Sequence, residues 1–308
     1  MLISRNKITI YVFLLMAVSS FAYWEWTPQT RRWINPKYAV KDTAEEQFAW
    51  AEQFRAEGNI EKAINEHRKL LKHFSESEYA PESCFILGEI FKERGDTKKA
   101  FDYFERITNS YPGSPRVLDA IRMKIEIAEK SMETHSFSFF KGKEKEKGDT
   151  LAGVLKQYPY IKEADEKSLY LGKFYLEIKE YDRARDVFLQ LMEKTLDSSV
   201  REEAYFYLIK AEYLSIPSVT ADTTGVKTVK ERIESFTALY PESKYIEEVL
   251  DIKNRLVNYE AKKYFEIASY YERAGKSKAA KYYYKIVSDN YPETDYGKIS
   301  SEKLRSTN

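Results

Sequence analysis

Leu87-Gly88-Glu89-Ile90-Phe91, then Gly95, Ala100, Phe104, Ile107 and Tyr111-Pro112, is the stretch whose spacing decides the fold. Two amphipathic runs flank a glycine, and a proline closes the second run. Proline lacks an N–H and clashes with the preceding turn, so it stops a helix. The same offsets recur at Ala51, Phe54, Gly58, Ala63, His67 and Leu70. They recur again at Gly172, Tyr175, Lys179, Ala184, Phe188 and Leu191, and at Ala268, Tyr271, Gly275, Ala280, Tyr284, Val287 and Pro292. Tyr-Pro itself stands at 111–112, 158–159, 240–241 and 291–292. Recurrence at this period identifies a stack of helical pairs. Small residues (Ala51, Gly88, Gly172 and Ala268; Ala63, Ala100, Ala184 and Ala280) allow close helix approach. The aromatics fill the layer between pairs, and Gly58, Gly95 and Gly275 permit a positive φ in the turn.

This pattern resembles the tetratricopeptide repeat, with its small residue at position 8, aromatic at 11, turn glycine at 15, Ala at 20, aromatic at 24 and Pro at 32. The expected fold is all-α, a TPR-type helical-hairpin solenoid of about five to six repeats over residues 43–304. The repeats fall at about 44–77, 78–114, 115–160, 161–197, 198–243 and 244–294, with a short terminal cap near Thr294–Leu304. The units at 115–160 and 198–243 are degenerate. The mixed-charge run Lys141-Gly142-Lys143-Glu144-Lys145-Glu146-Lys147 reads as a solvated loop, as does Ser215 to Gly225. Ser243 to Arg273 has no Pro or Gly and predicts one long helix.

Composition narrows function. The 308 residues carry 50 Lys plus Arg against 49 Asp plus Glu, for a net charge of +1. Nucleic-acid binding needs a cation surplus, so no nucleic-acid partner is expected. One cysteine, Cys84, leaves no disulfide framework or multi-thiolate metal site, and three histidines (His67, His73, His135) leave no metal cluster. No phosphate-binding loop, nucleophile elbow, zinc-binding helix or calcium loop is present. No enzyme activity, catalytic residue, cofactor or metal is expected. His67 falls at position 24, facing the core, and Cys84 at position 4 reads as a small apolar residue.

The N-terminus reads as an export signal over residues 1–22. Arg5 and Lys7 precede an apolar run, and Ser20 and Ala22 form a small-x-small site, so cleavage before Tyr23 is expected. The alternative is an uncleaved anchor, although the run Ile8–Ala22 reaches only ~22 Å as a helix against a hydrocarbon core of about 30 Å. No Cys stands where a lipoprotein signal carries its lipid, so no lipid anchor is expected. Residues 23–42, with Trp24, Trp26 and Trp33, read as an extended arm that docks on the chain's own first hairpin, on a partner or at a membrane interface.

The concave side of such an array is lined by first helices at positions 2, 5, 9 and 12. In the first two repeats this gives Phe48, Glu52 and Arg55, then Phe85, Glu89 and Lys92. Two readings stay open for the phenylalanines: anchors in a groove for an extended peptide, or packing between hairpins.

The run Ala44-Glu45-Glu46-Gln47-Phe48-Ala49-Trp50-Ala51 to Ile64 resembles the start of the BamD family of outer-membrane assembly lipoproteins. Arg255-Leu256 through Ala268-Ser269-Tyr270-Tyr271-Glu272-Arg273-Ala274-Gly275 to Thr294 resembles its last repeat. The resemblance implies a periplasm-facing scaffold, peripherally associated with the outer membrane. Its partners would be unfolded outer-membrane proteins and a BamA-like insertase. The missing lipidation Cys departs from the family, and an adaptor of another envelope pathway, in wall synthesis or division, is the alternative.

Overall fold

The computed structural model describes residues 25–27, 32–34, 39–133, 141–216 and 224–306; the predicted signal, residues 1–22, lies outside them. The described residues form thirteen helices and one small strand pair. The chain divides into two compact units, residues 1–127 and 128–308.

The first unit begins with strands β1 (Glu25–Thr27) and β2 (Arg32–Ile34), antiparallel, with Trp26 opposite Trp33. The described part of the expected extended arm is this strand pair, in which β-prone Trp26 is paired with Trp33, Thr27 with Arg32 and Ile34 with Glu25. Helices α1 (Ala44–Ala56) and α2 (Ile60–His73) form one pair, and α3 (Tyr79–Glu93) and α4 (Thr97–Ser110) the next. Helix α5 (Val117–Glu133) follows and carries the unit boundary.

In the second unit, α6 (Lys141–Gln157) precedes the pair α7 (Ala164–Glu177) and α8 (Tyr181–Lys194). Then come α9 (Ser198–Ser215), α10 (Thr224–Leu239), the 28-residue α11 (Ile246–Arg273), α12 (Ser277–Asn290) and α13 (Asp295–Ser306). The long helix and the closing helix match the sequence expectation. The expected loop at 141–147 does not: those residues open α6. Lys and Glu are strong helix formers, and opposite charges three apart, such as Glu144 and Lys147, support a helix. Between α9 and α10, residues 217–223 lie outside the described residues.

Four turns share one hydrogen-bond pattern. Asn59 N–H donates to Phe54 C=O at 2.8 Å, Asp96 to Phe91 at 2.9 Å, Glu180 to Tyr175 at 2.8 Å and Lys276 to Tyr271 at 2.9 Å. Each closes a six-residue loop at a helix C-terminus, with the residue before the donor in the left-handed region: Gly58 (φ 76°), Gly95 (77°), Lys179 (64°) and Gly275 (70°). This is the Schellman cap, which satisfies carbonyls left open by the helix end. The aromatic residue at position 11 therefore has two tasks: its ring packs and its carbonyl receives the cap.

Three of the four Tyr-Pro stops also share one pattern; the fourth, Tyr158-Pro159, has Ile161 in the Ser/Thr seat. Tyr111, Tyr240 and Tyr291 offer their carbonyls to the N–H of Ser114 (2.9 Å), Ser243 (3.1 Å) and Thr294 (3.1 Å). Proline at the second turn position has its φ preset for this turn. The hydroxyls then accept from the entering helix: Ser114 from Arg116 N–H at 3.2 Å, Ser243 from Tyr245 at 3.1 Å and Thr294 from Gly297 at 3.0 Å. The motif Tyr-Pro-x-Ser/Thr thus closes one hairpin and starts the next helix.

Ala51, Ala63, Ala100, Ala184 and Ala268 are fully buried and Ala280 is 4% exposed. Phe104 and Phe188 are wholly buried, a burial that contributes about 1.5–3 kcal/mol for each ring. The core of the first unit gathers Leu70, Cys84, Phe85, Leu87, Phe91, Ala100, Phe104 and Ile107.

Candidate peptide-binding face

The first helices of the first unit bring the six expected site residues onto α1 and α3. Phe48 is partly buried, its ring 5.2 Å from Tyr79 and 5.7 Å from His67. Phe85 is 6% exposed and sits edge-on to Phe104 at 5.4 Å. Of the two readings left open, packing between hairpins is the one that holds for Phe85. Its side chain is part of the core and is not a groove anchor, because the next repeat's first helix covers it.

The polar members form a chain of charges. Arg55 donates to Glu52, which raises the pKa of the guanidinium. Glu52 also meets His67 Nε2 at 3.1 Å, and His67 Nδ1 meets Ser83 Oγ at 3.2 Å. His67 and Ser83 are fully buried, and burial lowers the imidazole pKa against the opposing pull of Glu52. Ser, His and Glu in hydrogen-bonded sequence have the connectivity of a hydrolytic triad. With the serine sealed from solvent, no substrate carbonyl can reach it, and the group holds α1, α2 and α3 together.

Arg116, at the start of α5, forks onto Glu82 with Nε to Oε2 at 2.6 Å and a second nitrogen to Oε1 at 2.7 Å. Its guanidinium lies 4.6 Å from the Phe85 ring centroid. The planar fork matches carboxylate geometry. Lys92 donates to Glu126 at 2.7 Å. Between these pairs, Glu89 is exposed and makes no ion pair with another described residue. Partial burial raises its pKa, and the fields of Arg116 and Arg55 oppose that rise. The face therefore carries paired charges of both signs around Glu89, a carboxylate with no ion pair among the described residues.

Sequence reasoning missed the Glu82–Arg116 fork, although Glu82 occupies position 2 of its repeat. It missed Gln47 as well, which is fully buried: its amide donates to the Glu66 carbonyl at 3.0 Å and accepts from Lys41 N–H at 2.9 Å. Lys69 reaches Ala39 C=O at 2.9 Å. Residues 39–41 are thus bound to the first hairpin. Cys84 is buried and its thiol is pushed up to about 12 by that burial, so it is unreactive. Among the described residues no group of His, Cys, Asp and Glu is arranged to hold a metal.

Hairpins with superimposable caps, small residues facing rings and alanines in equivalent buried seats define a tetratricopeptide-repeat protein. The family described as YfiO, outer membrane lipoprotein, matches residues 88–304. The chain belongs to this family. Among solved structures, a tetratricopeptide repeat protein from Parabacteroides merdae is similar at 14% identity, over 85% of this chain and 97% of that one, with a TM-score of 0.30. No curated protein matches the chain.

Proposed function

We propose that this chain is a non-catalytic, periplasm-facing scaffold that serves the assembly of outer-membrane β-barrel proteins, peripherally associated with the outer membrane. The observation that carries this reading is membership, over more than half of the chain, in a family of outer membrane lipoproteins. The face on α1 and α3 supports a binding role. Its charges are paired within the chain except at Glu89, so a bound polypeptide adds a cation there and exchanges hydrogen bonds along Glu52, Arg55 and Lys92. An unfolded barrel strand, alternating polar and apolar residues, offers such polar side chains on one edge, and a BamA-like insertase is the second partner.

Depletion tests the reading. Outer-membrane barrel levels fall if it holds. Unchanged barrel levels with altered wall synthesis or division would overturn it in favour of the adaptor alternative. Photo-crosslinking from Glu89 and Lys92 in intact cells, with Phe85 as the buried control, identifies what occupies the face.

A further inference from the structure

From Arg273 to Ser288 the chain carries Arg273, Lys276, Lys278, Lys281 and Lys285 and no Asp or Glu, although the net charge of the whole chain is only +1. This run forms the tip of the α11–α12 hairpin and the first turns of α12. Arg273, Lys276, Lys278 and Lys285 are exposed. Arg273, Lys278 and Lys285 make no ion pair with another described residue. The neighbouring Glu272 does not neutralise them, because Lys303 holds it at 2.8 Å and the Tyr284 hydroxyl at 2.7 Å.

The same tip carries a row of rings. Tyr270 meets Tyr271 at 5.6 Å, Tyr271 stacks on Tyr283 at 5.6 Å, and Tyr283 meets Tyr282 at 5.3 Å. The inner two are half-buried and pack the hairpin. The outer two project, Tyr270 with 61% and Tyr282 with 63% of its surface exposed. The Lys276 ammonium lies 5.9 Å from the Tyr271 ring centroid. Two outward tyrosines and exposed cations therefore belong to the same hairpin, and the outer pair of rings lies outside the hairpin's packed interior.

We propose that this tip is a docking edge for an anionic lipid surface. Cations near such a surface are drawn to it by its negative potential. A tyrosine ring is amphipathic and sits at headgroup level, and lysine stems lie along apolar surface while their ammonium groups stay in water. Charge complementarity selects an anionic occupant. The rings protrude from the tip, which suits a planar interface that grades from polar to apolar; an acidic polypeptide would instead call for rings lining a recess. Among the described residues no helix is long and apolar enough to cross a membrane, and the tip supplies the other kind of contact, made at the surface.

The test uses the full chain and co-sedimentation with vesicles of phosphatidylcholine alone or mixed with phosphatidylglycerol. The wild type is expected to bind the anionic vesicles preferentially, and added salt to weaken binding. Lys276→Glu with Lys278→Glu and Lys285→Glu should lower binding at least about tenfold. Tyr270→Ser with Tyr282→Ser should lower it several-fold. Far-UV melts in solution check that each variant stays folded, and the corresponding Lys→Gln triple variant keeps the test valid if charge reversal unfolds the tip. Equal binding to neutral and anionic vesicles, or undiminished binding by the folded variants, overturns the proposal. Displacement by inorganic phosphate, or binding of soluble polyglutamate without vesicle binding, overturns it too. None of these arms involves a barrel protein, so the outcome is independent of the barrel-assembly reading.

Discussion

The Phe104 ring occupies the space that a β-carbon on Gly88 would need: such an atom would stand 2.6 Å from two of its carbons. Gly172 and Phe188 repeat the arrangement, with approaches of 2.4 and 2.5 Å. Where position 8 is alanine, the partner is His67 or Tyr284, and each also makes a polar contact with position 9. His67 reaches Glu52 at 3.1 Å, and the Tyr284 hydroxyl reaches Ser269 at 3.2 Å. Positions 8 and 24 are thus chosen together, glycine with a phenyl ring and alanine with a ring that has a polar edge.

Gly88→Ala and Gly172→Ala should each lose about 1–3 kcal/mol, the usual cost of overpacking a rigid core. Gly153→Ala is the control. A β-carbon there meets nothing within 4 Å, so removing a helical glycine should gain up to about 1 kcal/mol. Urea midpoints of the three variants check the order, and a stabilised Gly88→Ala would contradict the pairing.

Lys179 is the non-glycine residue among the four Schellman turns, at φ 64°. A side chain in the left-handed region costs roughly 1–2 kcal/mol. Lys179→Gly should therefore stabilise the protein by about 1 kcal/mol, while Gly95→Ala in the matching seat destabilises it by a similar amount. Thermal melts that moved in the opposite directions would disprove the shared turn.

Burial lowers the pKa of His67 in the folded state, so as pH falls the unfolded chain takes up the proton first. Stability from this residue is complete above the unfolded value of about 6.5 and is lost as pH drops through it toward the lower folded value. Urea midpoints between about pH 7.5 and pH 5, above the carboxylate range, should decline for the wild type. In His67→Gln the decline should flatten, since nothing titrates there.

Ala100 is fully buried against the second helix pair. Ala100→Glu would place a carboxylate where it has neither water nor a cation, at a cost of at least about 3 kcal/mol. The exposed Ala56→Glu should stay within about 0.5 kcal/mol. Equal far-UV melts for the two variants would refute the repeat register.

The hairpins were legible because their information is local. A cap needs the right residue within six positions, and Gly58, Gly95 and Gly275 announce it; Lys179 was recognisable only by its offset from Gly172 and Ala184. The run 141–147 misled because mixed charge describes a solvated helix face as well as a loop. Phe85 was ambiguous because position 5 lies at the edge between the concave face and the next hairpin, and burial there depends on how closely α5 approaches.

The sequence by itself determined where the helices of the regular hairpins start and stop, which of their seats are small and which are aromatic, and that the chain carries no recognisable catalytic motif. These features follow from backbone sterics and from the three- and four-residue spacing that puts side chains on one helix face. Only the tertiary structure decided that Phe85 is sealed into the core and that His67 bridges Glu52 and Ser83. The structure likewise decided that Glu89 makes no ion pair with another described residue and that Tyr270 and Tyr282 point outward on a hairpin with exposed cations. Those outcomes depend on contacts between different helices, whose distances are set by how each pair packs on the next.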